Sequence, residues 1–211
     1  MPSHRPTFAW EEGLWRRGVR LVAGVDEAGR GPLAGPVVAS AVVFPPGFTA
    51  PWLPLVDDSK RLSPARRASL APLIRASALA VGVGMATPQE IDSLGIVPAT
   101  TLAMQRAVEC LPFCPEALLV DALAIPGMPC TPLVHGDRLS LSIACASIIA
   151  KVERDAFMEA LDARYPGYGF RRHKGYPTPE HQEALRRLGP SPAHRRTFAP
   201  VQKVAGKGGR I

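Results

Sequence analysis

The 211-residue chain is 46% hydrophobic, and its 23 prolines and 19 glycines are spread as punctuation rather than gathered in one block, so it can bury a sizeable core and intrinsic disorder is excluded as a description of the whole. Its length fits one domain, or one domain with a small appendage. The formal charge of +7 is uneven: residues 1–150 hold 12 basic and 12 acidic side chains, whereas residues 151–211 hold 13 and 6.

Residues 1–18 are polar with scattered aromatics and predict a loose arm or short helix. MPSHRPTFAWEEGLW has no apolar stretch of the secretory kind. Leu21–Val25 is a short apolar run ending at Asp26-Glu27. AGRGPLAG follows, then Val37–Phe44 (VVASAVVF), closed by Pro45-Pro46-Gly47; this reads as strand, glycine-rich turn, strand. Ser63-Pro64 is a helix start, an N-cap followed by proline at the first helical position, and the helix should run to about Ala78. Leu79–Met85 reads as a strand. Thr87-Pro88-Gln89-Glu90 opens a short helix, and Pro98–Glu109 forms a longer one.

Ala117–Asp121 (ALLVD) is again an apolar run ending on a carboxylate. Residues 126–132 read as a loop, Leu133–His135 as a short strand, and Gly136-Asp137 as its exit. From Ser140 to about Arg164 the apolar spacing is helical, with Ile143, Ile148, Val152 and Leu161 among the repeating positions. YPGYGFRRHKGYPTPEH is rich in turn residues, Pro179–Arg187 is a short helix, and the Pro/Gly/basic stretch from Gly189 is expected to be poorly ordered at its end. Early strands followed by alternating helices and strands indicate an α/β sandwich with a mixed sheet.

The four cysteines, Cys110, Cys114, Cys130 and Cys145, form no C-x-x-C and have only the isolated His135 nearby, which suits reduced thiols rather than a zinc site. No apolar run reaches membrane-spanning length. The expectation is a soluble, cytoplasmic protein. A neutral body with a basic C-terminal part suits a polyanionic partner, because Lys and Arg neutralise phosphates; a solubilising tail would give the same balance.

Three apolar runs exit onto acids: Asp26-Glu27, Asp121 and Asp137. A sheet aligns the ends of neighbouring strands, so these carboxylates can converge on one edge. Gathering several buried anions is unfavourable unless cations neutralise them, and Mg²⁺ or Mn²⁺ chooses carboxylate oxygens. Two such ions can activate water and stabilise a leaving oxygen in phosphodiester cleavage. Each acid alone is explained as well by a helix cap or a turn. AGRGPLAG superficially resembles a dinucleotide fingerprint, but the glycines lead through Pro32 into a strand instead of opening a helix, so that reading is rejected.

The segments AGVDEAGRGPLAGPVVASAVVF, DDSKRLS, LLVDAL, HGDRLSLSIACASIIAKVERD and YPGYGFRRHKGYPTPEHQEAL resemble bacterial ribonuclease HII, in family order from about Leu21 to Phe198. The resemblance implies a ribonuclease H-like mixed five-stranded sheet flanked by helices, with a small helical C-terminal part. It divides the chain into an arm (1–20), a catalytic core (21–165) and a basic C-terminal helical segment with a flexible tail (166–211). It implies that Asp26, Glu27, Asp121 and Asp137 form the acidic active-site set and hold Mn²⁺ or Mg²⁺, with Asp137 at or beside the second ion.

By the same resemblance, the expected activity is cleavage 5′ to a ribonucleotide in RNA–DNA hybrids and in duplex DNA carrying single ribonucleotides, leaving a 3′-hydroxyl and a 5′-phosphate. Gly29, Arg30 and Gly31 would contact the ribonucleotide near its 2′-hydroxyl, the group that distinguishes RNA from DNA locally, and Tyr176 would check the junction. Lys60 and Lys151 fit phosphate binding, although either is explained equally well as a solvated lysine, and a monomer is implied. Asp155 is better explained by an i,i+4 pair with Lys151 than as a fifth ligand. His173, His181 and His194 are read as candidate phosphate contacts. His135 stands where lysine is frequent in the family, and Cys145 interrupts a stretch usually richer in alanine. Two other classes remain: a deoxyribonuclease on the same core, and a non-enzymatic nucleic-acid-binding module.

Overall fold

The computed structural model describes residues 5–206. The sheet is built from β1 (Val22–Ala28), β2 (Val37–Val43), β3 (Ala80–Ala86), β4 (Ala117–Asp121) and β5 (Cys130–Leu133), in spatial order β3-β2-β1-β4-β5. The first three strands form an antiparallel meander, while β4 and β5 add in parallel beyond β1. The sheet is therefore mixed, with helices on both faces, as expected.

The sequence of β2 explains its central place. All seven residues of VVASAVV are buried, because alternate side chains enter two different cores. Val37, Ala39, Ala41 and Val43 join the core that includes Ala103, Met104, Ala107 and Val108 of α4 (Ile96–Glu109). Val42 and the following Phe44 join the opposite core, with Leu70 and Ile74 of α2 (Pro64–Ser77) and Ala144, Cys145 and Ile148 of α5 (Leu141–Arg164). Each Leu or Ile buried in this way contributes about 1.5–3 kcal/mol relative to exposure.

The long helix α5 presses closely on β1. A Cβ at Gly24 would lie 2.2 Å from the backbone of Ser142, so only glycine lets helix and strand approach to this distance. The helix starts at Ser140, whose hydroxyl accepts the Ile143 N–H at 3.2 Å. Glu11, on the short helix α1 (Ala9–Trp15), supports the same end: its Oε1 accepts from the Ser140 hydroxyl at 2.6 Å and from the Ser142 N–H at 3.0 Å. A carboxylate at a helix N-terminus is favoured by the macrodipole. The N-terminal arm is thus docked through a fully buried acid.

Thr87 forms a capping box with Glu90 and opens α3 (Pro88–Leu94), as its pattern predicts. Two expectations change. The last strand is Cys130–Leu133, lying largely within the stretch read as a loop, and Val134 and His135 fall outside it; Val134 is exposed and His135 is left-handed, with φ 57°. Pro132 and Thr131 look like loop residues, but β5 is an edge strand, where a missing N–H is tolerated. Beyond the short helices α6 (Phe170–His173) and α7 (Pro179–Leu188) the chain does not fray at once: it packs through 191–198 and forms α8 (Ala199–Ala205). The poorly ordered end expected of the tail falls on residues 207–211, outside the described residues. Among the described residues, no helix is long and apolar enough to cross a membrane.

Candidate active site

Because β1, β4 and β5 run parallel, their C-terminal ends meet at one edge of the sheet. The register aligns Val25 with Val120, so Asp26 and Asp121 follow side by side. Asp137 arrives through a 3₁₀ turn, Gly136–Arg138, just after β5. That turn is tied to the edge by the Gly136 N–H, which donates to Asp121 Oδ1 at 2.7 Å. Asp26 Oδ1 accepts the Glu27 N–H at 2.7 Å, and the nearby Ser147 hydroxyl of α5 favours the charged form of the Asp26 carboxyl.

These acids feel one another. Burial holds the Asp26 carboxyl well above the usual carboxylate range, and the charges of Glu27 and Asp121 push it further. Burial also raises Glu27; Arg30 pulls it back and Asp121 pushes it up. Asp137 is raised by burial and by the charges of Asp58 and Asp121. Lys60 lies in the field of the same group: burial disfavours its charge, but Asp137, Asp26, Asp58 and Asp121 together raise its pKa.

The described residues contain no ready-made cage of three acidic, histidine or cysteine ligands. The donor set nevertheless fits a hard divalent cation. Glu27 Oε2 is buried without any hydrogen-bond partner, and buried, mutually repelling carboxylates are the groups a cation relieves. Mg²⁺ in particular is usually held by one or two carboxylates and retains several waters.

Gly29, Arg30 and Gly31 form the turn directly after β1, so the acids and the turn share one stretch of backbone. Arg30 reaches back to Glu27, with Nη1 3.6 Å from Oε1. The exposed Tyr176 ring stands against the turn: a Cβ at Gly31 would sit 3.8 Å from it. The backbone is joined there too, since the Leu33 N–H donates to the Gly175 carbonyl at 2.8 Å. Lys151 is placed differently. Its ammonium bonds Asp155, which also lies 3.6 Å from Arg67, so the i,i+4 pair predicted from spacing is formed.

Several residues that shape this region were not singled out by their sequence. Asp58 is buried beside Arg138, 3.1 Å away. Ser59 and Ser147 share a 2.8 Å hydrogen bond, which links the DDSK loop to α5. Arg154 and Arg195 are fully buried, and backbone carbonyls are their hydrogen-bond acceptors. Two members of the basic C-terminal excess are therefore internal supports. His173, His181 and His194 are likewise buried and bonded within the protein, which corrects their reading as candidate phosphate contacts.

A mixed five-stranded sheet whose parallel strands end in a cluster of acids defines a nuclease of the ribonuclease H type. The crystal structure of ribonuclease H2 from Pyrococcus horikoshii OT3 is similar to this chain, with a TM-score of 0.74 and 30% identity over 88% of this chain and 97% of that one. The family model for ribonuclease HII matches residues 23–201, and the chain belongs to the ribonuclease HII family. It is 54% identical to the ribonuclease HII of Moorella thermoacetica, over 90% of this chain and 92% of that protein. It is 55% identical to the enzyme of Geobacillus kaustophilus, over 92% and 74% respectively.

Proposed function

We propose that this nuclease hydrolyses the phosphodiester on the 5′ side of a ribonucleotide, in RNA–DNA hybrids and at single ribonucleotides embedded in duplex DNA, leaving a 3′-hydroxyl and a 5′-phosphate. The observation that carries the reading is the placement of Gly31 against Tyr176, on a turn continuous with Asp26 and Glu27. A site for cutting any phosphodiester needs only the acids. Small residues facing an exposed tyrosine beside them suit a check of the sugar at the cut, because glycine lets backbone groups approach a 2′-hydroxyl, which both donates and accepts.

In this reading Asp26, Glu27, Asp121 and Asp137 hold Mn²⁺ or Mg²⁺, which supplies an activated water and offsets charge on the leaving oxygen. Gly29, Arg30 and Gly31 bind the ribonucleotide, and Tyr176 checks the sugar step beside it. Lys60 is aimed at phosphate from within the acidic group. Lys151 would serve phosphate only by exchanging Asp155 for it. The protein acts as a monomer in the cytoplasm, on RNA–DNA hybrid and on ribonucleotide-containing duplex DNA, in primer removal and the excision of ribonucleotides from DNA.

The test is cleavage of a DNA duplex carrying one ribonucleotide, with Mg²⁺ or Mn²⁺, beside an all-deoxy duplex and an Asp26→Asn variant. One cut 5′ to the ribonucleotide, absent from both controls, is expected. Equal cutting of the all-deoxy duplex would make the protein a deoxyribonuclease, and binding without cleavage would leave only a nucleic-acid-binding module.

A further inference from the structure

The glycine turn and the Tyr176 loop are held by the same short piece of chain, which lies far from the turn in sequence. Arg195 donates through Nη2 to the Gly29 carbonyl at 2.6 Å, through Nη1 to Arg30 at 2.8 Å and through Nε to Gly35 at 3.0 Å. Only a guanidinium offers three donors in one fixed plane. The Arg195 N–H donates to Leu33 at 2.9 Å, and the Gly35 N–H to Ala193 at 2.8 Å. Arg195 therefore sets the backbone of the turn from beneath.

The preceding residue, His194, serves the other element. Its Nε2 lies 3.1 Å from Nε2 of His181, whose Nδ1 lies 2.9 Å from the Tyr176 carbonyl. The partners fix the protons. A carbonyl only accepts, so His181 carries hydrogen on Nδ1. At the far end, the Ser191 N–H (3.0 Å) and hydroxyl (2.8 Å) face His194 Nδ1, and a backbone N–H only donates, so that nitrogen accepts. His194 Nε2–H must then donate to a bare His181 Nε2. Both rings are neutral, and the bonds run one way from Ser191 to Tyr176.

The surroundings favour this state. His173 stacks on His181 with ring centroids 4.4 Å apart, and Tyr168 and Phe170 enclose His194. Burial disfavours the charged form of both rings, Arg196 opposes protonation of His194, Glu180 slightly favours protonation of His181, and His194 is held down at about 3.

We propose that the buried dipeptide His194-Arg195 is a strut that fixes the glycine turn and the Tyr176 loop relative to each other, so that His181, His194 and Arg195 are positioning residues for ribonucleotide recognition. The proposal rests on the reading of those two elements given above. It separates the residues that touch the sugar from those that set the gap into which the sugar fits.

The experiment compares wild type, His194→Phe and Arg195→Lys. Phenylalanine keeps the ring packing but ends the relay; lysine keeps the charge but cannot span three carbonyls. The reading is KM and kcat on a duplex with one ribonucleotide, with inhibition by the all-deoxy duplex measured alongside. Both variants should lose about tenfold in preference for the ribonucleotide duplex, the cost of leaving buried partners unmade, while inhibition by the all-deoxy duplex changes less than about twofold. Preference retained in either folded variant, or both duplexes weakened in parallel, overturns the strut. A wild type with no preference overturns the functional reading itself, and the strut's role with it. A variant that does not fold leaves the wild-type protein to decide: ¹⁵N NMR of the imidazoles should show neutral His181 with Nδ1–H and neutral His194 with Nε2–H between about pH 7 and 8. The opposite tautomers, or an imidazolium in that range, would sink the proposal.

Discussion

Asp121 Oδ1 accepts the Gly136 N–H at 2.7 Å, so one carboxylate both faces the acidic edge and holds the turn that delivers Asp137. Asp121→Asn can keep this bond through its amide carbonyl while losing its charge. The variant should fold like wild type yet cleave at least about 100-fold more slowly, the scale expected when several kcal/mol of charge stabilisation are lost. Asp121→Ala should also release the turn and melt at a lower temperature than the asparagine variant. Equal melting of the two would show that the bond contributes nothing to holding Asp137.

The acidic edge should destabilise the protein when no cation is present. Asp26 has its pKa raised in the fold, first by burial and then by Glu27 and Asp121. The folded state therefore binds a proton more tightly than the unfolded one, and this group's contribution is lost as pH rises from about 4 through the raised value. In EDTA at pH 8, Asp26→Asn should melt above wild type, by on the order of 2–4 °C for each kcal/mol of repulsion relieved. The gap should narrow toward pH 5, and Mg²⁺ or Mn²⁺ should raise wild type more than the variant. A variant that melts below wild type in EDTA at pH 8 would contradict repulsion among the acids.

The buried histidines give the opposite slope. His194 is depressed to about 3 by burial and by the neighbouring His181, against about 6.5 in the unfolded chain. The stability it provides is complete above pH 6.5 and is lost as pH falls toward the folded value. Thermal scans of wild type should show melting temperature dropping below about pH 6, and His194→Phe should show a shallower drop. Parallel curves would mean that other groups govern the acid limb.

Gly29 has φ +99°, and a Cβ there would lie 2.0 Å from Nε of Arg154. Gly29→Ala therefore meets both backbone strain and a buried guanidinium that is itself bonded to Pro36, Lys174 and Ala34. The cost should be about 1–3 kcal/mol, seen in urea unfolding, together with loss of preference for the ribonucleotide duplex. Gly13 is the control: it sits in α1, and a Cβ there would meet nothing within 4 Å, so alanine should be neutral or stabilising by about 0.5–1 kcal/mol.

What could be read from the sequence was what local chemistry decides. The capping box at Thr87, the Ser63-Pro64 and Ser140 helix starts and the buried run VVASAVVF each identify their element without help from distant residues. The acids were legible as strand ends, and parallel pairing of β1, β4 and β5 is what brings those ends together. The position of β5 was not legible, because Cys130–Leu133 becomes a strand only by pairing with β4. Nothing local singles out Arg154 or Arg195, and the three histidines were read by their usual habit, which is to face solvent or phosphate. Their burial depends on carbonyls more than a hundred residues away for the arginines, and on rings and backbone of the C-terminal segment for the histidines.

The contact of Arg195 with Gly29 spans 166 positions, and this sets an order on synthesis. Chains emerge N-terminus first and can begin to fold as they do. All four carboxylates are made by residue 137, before the guanidinium that shapes the neighbouring turn exists. A nascent chain, or one cut short before Ser191, would carry the acids without the turn in its final form. The glycine turn can therefore take its final shape only after residues 191–195 have been made, later than every residue of the acidic edge.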